Sequence, residues 1–151
     1  MEYRDFFQIE ATSVANEFLD KYIASANVKS YVNQSDRWLL FGDKLYIMPE
    51  YMPDIKGLKV YRAGLMIGEF LKNRFEPAHA LALTLGQKDV KCFAEVDEAD
   101  AQQYLKGMTL NTQKEDIKGW TLITHCGCSL GFSKASGGIL KNHYPKGLRV
   151  L

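Results

Sequence analysis

The chain has 151 residues, 46% hydrophobic and 25% charged, with 19 Lys and Arg against 18 Asp and Glu. That balance excludes a disordered or fibrous chain and allows one large domain or two small ones with a real core. No apolar run of about 18 residues is present, so nothing reads as a membrane-spanning helix.

The net charge of +1 hides an asymmetry. Beyond Asp116 there is no acid, while Lys118, Lys134, Lys141, Lys146 and Arg149 remain, so this segment is +5 and residues 1–116 are −4. Such a segregation suggests a basic face for a polyanion, or else an ordinary solvated face. The start, Met1-Glu2-Tyr3-Arg4-Asp5-Phe6, lacks the basic n-region of a secretory signal. Three cysteines, Cys92, Cys126 and Cys128, form no disulfide framework, which predicts a reduced, cytoplasmic protein.

In chain order, residues 5–26 are predicted as one helix. Phe6, Phe7, Ile9, Val14, Phe18, Leu19, Tyr22 and Ile23 recur near the helical period, as core or as a docking face. Asn33 to Asp36 reads as a loop. Trp38 to Phe41 and Lys44 to Ile47 flank Gly42-Asp43, the pattern of a hairpin with a Gly-first two-residue turn. Strands are expected at 58–63 and 64–71, a polar turn at 72–76, and a helix over 77–85 opened by Pro77 and closed by Gly86. Then come a strand at 90–96, a helix at 97–106 closed by Gly107, and a short strand at Leu110. Residues 111–118 read as a polar loop. Beyond Gly119, short strands separated by Gly127 and Ser136-Gly137-Gly138 suggest a small barrel. A soft domain boundary falls near Gly86–Lys88, giving units of 1–86 and 87–151. The fold class expected is α+β: an N-terminal helix and small α/β module, followed by a β-barrel.

Two segments carry similar chemistry. Leu71-Lys72-Asn73-Arg74-Phe75 echoes Leu140-Lys141-Asn142-His143-Tyr144. Lys and Arg neutralise phosphates, Asn bonds a base edge or 2′-hydroxyl, and aromatic rings stack on unpaired bases. Phe75 and Tyr144 have a second reading, as core anchors beside ordinary surface cations. The candidate RNA-binding residues are Lys72, Arg74, Lys141, Asn142, His143, Tyr144, Lys146 and Arg149. Of these, Lys72, Arg74, Lys141, His143 and Lys146 suit phosphate and ribose, while Asn142, Tyr144 and Arg149 suit shape or base recognition. Packing Tyr144 inward would leave the cations to act alone.

Other chemistry is thin. His125-Cys126-Gly127-Cys128 has C-x-C spacing and too few nearby ligands for structural zinc, so no metal site is assigned. His79 fits a structural place at a helix start better than a catalytic one. Glu69 and Glu76 make no recognisable dyad in sequence. No phosphate-binding glycine loop is present, and no cofactor is expected.

Three stretches carry a family resemblance. Lys141-Asn142-His143-Tyr144-Pro145-Lys146-Gly147-Leu148-Arg149 resembles the closing signature of bacterial Sun-type (RsmF-type) rRNA 5-methylcytosine methyltransferases. Arg74-Phe75-Glu76-Pro77-Ala78-His79-Ala80-Leu81-Ala82-Leu83 and the run from Gly57 to Glu69 are similar to earlier signatures of the same C-terminal region, and Gly119-Trp120 fits as well. The resemblance covers roughly 35–151. It implies a small α/β module followed by a PUA-like barrel, both implicated in holding RNA. The family's catalytic domain binds S-adenosylmethionine and uses cysteines in Pro-Cys and Thr-Cys contexts. Here each proline precedes Glu, Asp, Ala or Lys, and no Thr precedes a Cys. The expectation is therefore a non-enzymatic, stand-alone RNA-binding protein acting on rRNA or its precursors in ribosome biogenesis. The alternative is an accessory subunit docking on a separate methyltransferase or ribosomal protein through the aromatic face of the first helix.

Overall fold

The computed structural model describes residues 5–32, 37–54, 56–72 and 74–151, with side chains from Ser13 onward. The predicted loop at Asn33 to Asp36 and the echo's Asn73 lie outside the described residues. The chain forms two compact units. One takes residues up to Lys21 and Ala26–Leu81; the other takes Tyr22–Ser25 and Ala82–Leu151. The class is α+β.

The first unit contains helices α1 (Asp5–Tyr22) and α2 (Ala26–Val32), and strands β1 (Trp38–Phe41), β2 (Lys44–Ile47), β3 (Leu65–Leu71) and β4 (Arg74–Pro77). The single predicted helix over 5–26 is thus two. The break falls where Ile23 bridges to Val90, and the Ala24 and Ser25 amides donate to the Asp89 carbonyl. Phe18 and Leu19 are buried, and the Phe18 ring meets Phe75 at 5.2 Å. The side chains of Phe6, Phe7 and Ile9 lie outside the described residues.

The four strands make an antiparallel meander in sequence order. Gly42 takes the positive φ, +59°, that the Gly-first hairpin turn requires. Further expectations fail in this unit. Residues 58–63 form no strand, because Gly57 and Gly64 turn the chain at φ +80° and +121° and β2 is already paired on both sides. The polar turn predicted at 72–76 is confined to its start. Arg74 onward pairs with β3, and Pro77 closes that edge strand rather than opening a helix.

Helix α3 (His79–Ala82) spans the division in sequence, with His79 to Leu81 in the first unit and Ala82 in the second. It is shorter than predicted. Gly86, at φ −106°, caps a following 3-10 turn (Gln87–Asp89) instead of ending a helix, and Asp89 accepts its amide at 2.8 Å. Next come β5 (Phe93–Glu95), α4 (Glu98–Leu105), β6 (Leu110–Asn111), β7 (Gly119–His125), β8 (Cys128–Ser136) and β9 (Ile139–Asn142). Asp97 caps α4 by accepting the Asp100 amide at 2.9 Å, acids fill its first turn, and Gly107 ends it at φ +86°.

The sheet order is β5-β7-β8-β9-β6, parallel between β5 and β7 and antiparallel elsewhere. The two edge strands flank α4 in sequence, and the sheet curls as a half-barrel. Its core holds Tyr104, Leu110, Ile123, Ala135 and Leu140, with Val96, Leu105 and Tyr144 packed against it. The fully buried Tyr104 donates its phenol to the Phe132 carbonyl at 2.8 Å, so its own hydroxyl is satisfied.

Candidate nucleic-acid interface

Strand alternation sorts the basic tail into two faces. On β7, β8 and β9 the register sets Trp120 opposite Lys134, and Lys134 opposite Lys141, as one transverse row. Leu122 and Phe132 pair in the next row, and His143 follows Lys141 by two residues. The His143 ring stands edge-on to Trp120 at 4.6 Å, and Lys134 Nζ lies 5.7 Å from the Trp120 ring centroid. Lys134 and Lys141 are exposed, as are Lys118 and Lys146. None of the four forms a salt bridge with a described residue.

Two lysines directly opposite on a sheet repel each other, and nothing in the row neutralises them. The arrangement suits an external anion. The aromatic support under Lys134 adds a cation–π contact that fixes its position. Local sequence chemistry points to Lys141 and His143 but not to Lys134 and Trp120. A signal for Lys134 is present: equal spacing on either side of the Ser136-Gly137-Gly138 turn puts it across from Lys141.

The intervening residues point the other way. Asn142 donates to the carbonyls of Tyr104 at 2.8 Å and Met108 at 2.9 Å, and accepts the Tyr144 amide at 2.8 Å. Tyr144 is half-buried and meets Tyr104 edge to face at 5.5 Å. Arg149 reaches the Tyr144 carbonyl at 3.4 Å, and its guanidinium lies against Gly107, where a Cβ would collide with it. Asn142, Tyr144 and Arg149 thus lock the end of the chain onto α4. Lys141 and Lys146 are left exposed, and His143 is half-buried against Trp120.

In the first unit, Lys72 is exposed in the β3–β4 turn at φ +50°. Arg74 pairs with Glu76 at 3.1 Å, and Phe75 is buried between Phe18 and Phe70. The echo is not structural repetition: Leu71 ends a strand, whereas Leu140 lies inside one. Glu69 and Glu76, unrelated in sequence, are direct cross-strand partners, with Lys44 opposite Glu69 on the other side. Flanked by Lys44 and Arg74, they form a charge ladder.

His125 Nδ1 donates to the Val96 carbonyl at 2.8 Å, while Nε2 faces Glu98 at 3.1 Å. The carbonyl, and then Glu98, hold its pKa above the ordinary value. Glu95 accepts from Thr124, Gln87 and the Gly127 amide, and the Thr124 hydrogen bond is the main cause of its lowered pKa. Burial lowers the pKa of His79. Among the described residues no group of three or more His, Cys, Asp or Glu is placed to hold a metal ion.

Comparison with known proteins names both units. Residues 17–85 match the RsmF rRNA methyltransferase first C-terminal domain, and residues 93–150 match the methyltransferase RsmF PUA domain. The chain belongs to the RsmF C-terminal domain family. Its relatives include the ribosomal RNA small subunit methyltransferase F of Shewanella loihica, 33% identical over 108 residues, covering 70% of this chain and 22% of that protein. The protein of the same name from Aeromonas salmonicida is 29% identical over 112 residues, covering 72% of this chain and 24% of its own length. That from Vibrio vulnificus is 24% identical over 140 residues, covering 92% and 29%. The chain therefore spans between a fifth and a third of the curated relatives it matches. Within this family pair, the Trp120, Lys134 and Lys141 row lies on the PUA domain, and Lys72 and Arg74 lie on the first C-terminal domain. No helix among the described residues is long and apolar enough to cross a membrane.

Proposed function

We propose that this domain pair holds RNA, and that ribosomal RNA or its precursor is the ligand, in the cytoplasm. The observation that carries the reading is the unneutralised Lys134–Lys141 pair beside Trp120, set in a segment without acids. Lys118, Lys134, Lys141 and Lys146 contact phosphates, and His143 contacts ribose or a base face. Asn142, Tyr144 and Arg149 act by positioning. Lys72 and Arg74 add a lesser phosphate contact on the first domain, with Arg74 exchanging Glu76 for phosphate. The role is to hold the RNA, with methyl transfer assigned to no residue of this chain and no cofactor invoked.

The test is binding to small-subunit rRNA fragments across a salt series. Lys134→Glu, Lys141→Glu and Lys146→Glu together should weaken binding strongly and flatten the salt dependence, because each lysine lost removes one phosphate contact. Affinity indifferent to both salt and the triple reversal would overturn the reading.

A second reading is docking on a separately encoded rRNA methyltransferase or a ribosomal protein. It is favoured by the relatives, which carry this domain pair within much longer methyltransferase chains. Co-purification from cells decides between the readings: a chain recovered alone and monomeric counts against docking.

A further inference from the structure

The first C-terminal domain carries a second surface with nucleic-acid chemistry. The connection from Met48 to Gly64 folds over the β1–β2 hairpin, and Met48, Met52 and Val60 pack against Leu39, Tyr46 and Ala63. An open cavity of about 690 Å³ remains between connection and hairpin. That is a usual size for a small-molecule site, which spans roughly 300–1,000 Å³.

The floor is apolar and sulfur-rich, which favours flat, polarisable partners. The rim is cationic: Lys56, Lys59 and Arg62 stand against one acid, Asp54, whose carboxylate already accepts the Lys56 amide at 2.9 Å. Tyr61 stands at this rim, 84% exposed, with Lys59 Nζ 5.1 Å from its ring centroid. The loop presenting it is braced. Arg62 donates to the Gly64 carbonyl at 3.2 Å, and at Gly64 a Cβ would collide with the Ile47 carbonyl. A wholly apolar partner leaves the cations unused, and an acidic peptide leaves the flat cavity unused. An unpaired nucleotide uses both: its base has a π face and an apolar body, and phosphates flank it.

We propose that this cavity holds an unpaired nucleobase of single-stranded RNA, stacked on Tyr61, with Lys56, Lys59 and Arg62 on the adjoining phosphates. The proposal rests on the RNA-binding reading above, but it is separable, because every residue in it belongs to the first C-terminal domain.

The test uses the full chain and two probes, a short single-stranded RNA carrying one 2-aminopurine and a blunt RNA hairpin. The wild type should bind both and quench the 2-aminopurine. Tyr61→Ala should weaken single-strand binding roughly 5- to 150-fold, the loss of one base stack, and abolish quenching while leaving the hairpin unaffected. Tyr61→Phe, which keeps the ring, should restore both. The Lys134→Glu, Lys141→Glu variant should weaken both RNAs yet keep Tyr61-dependent quenching. Equal single-strand affinity of wild type and Tyr61→Ala, with the hairpin still bound, overturns the cavity proposal and leaves the RNA reading standing. Failure to bind either RNA overturns both. Self-association that depends on Tyr61, with RNA binding unchanged, assigns the face to a second copy of the chain and overturns the proposal as well.

Discussion

The Asn142 amide donates to the backbone carbonyl of Tyr104 at 2.8 Å, tying the end of β9 to the last turn of α4. At this helix end the Tyr104 carbonyl accepts the Gly107 amide at 2.9 Å, and the strand side chain adds a second donor. The same amide serves Met108, just past the helix. Asn142→Ala should therefore destabilise the PUA domain by about 1–3 kcal/mol, chiefly because the part-buried Tyr144 amide loses its Asn142 acceptor. Thermal unfolding checks it. Per folded molecule, affinity for rRNA fragments should be unchanged, because Asn142 acts by holding the fold.

The Lys134–Lys141 pair predicts opposite effects on stability and binding. Lys141→Glu replaces a like-charge cross-strand pair with an attractive one. It should raise stability by about 0.2–1 kcal/mol and weaken RNA binding, lowering the salt slope by about 1. Urea denaturation and a salt titration of the same variant measure the two. A stability gain without loss of affinity would show that the row is surface decoration.

Gly107 and Arg149 predict a coupled defect. Gly107 sits at φ +86°, and a Cβ there would meet the Arg149 guanidinium. Gly107→Ala combines a strained backbone, costing about 1–2 kcal/mol, with displacement of Arg149. Arg149→Ala removes the contact to the Tyr144 carbonyl and relieves the collision. In a double-mutant cycle the two effects should be clearly less than additive.

His125 and Glu95 predict a pH window. His125 has its pKa raised above 6.5, so its stabilising effect is full at low pH and is lost as pH rises through that raised value. Glu95 has its pKa lowered below 4.5, so its contribution is present above that value and is lost as pH falls through the lowered one. Stability of the PUA domain should thus be flattest between the ordinary values of the two groups, 4.5 and 6.5. His125→Gln should remove the loss on the alkaline side, and Glu95→Gln the loss on the acid side. Thermal unfolding across pH shows both, since the groups titrate in separate ranges.

Much of the fold was legible in local sequence. The Gly42-Asp43 hairpin, the acids in the first turn and the Gly107 stop of α4, and the Ser136-Gly137-Gly138 turn are set by residues within a few positions of one another. Where pairing partners were distant, local signals misled. Residues 58–63 alternate like a strand, but β2 has no free side to offer them. Pro77 reads as a helix opener, yet the edge of β3 captures it, because an edge strand tolerates a missing N–H.

The sequence by itself determined that the tail is basic, aromatic and free of acids, and that it closes a β unit of a known kind. Only the tertiary structure decided which of its residues face outward. Side chains alternate across a strand, so the register that sets Lys134 against Lys141 turns Asn142 inward toward α4, with Tyr144 packed there as well. Trp120 joins the row from a strand some twenty residues earlier, a neighbour that only hydrogen-bonded pairing brings there. The cavity beneath Tyr61 is likewise a product of folding, since nothing local to residues 58–63 shows that the connection from Met48 to Gly64 covers the β1–β2 hairpin.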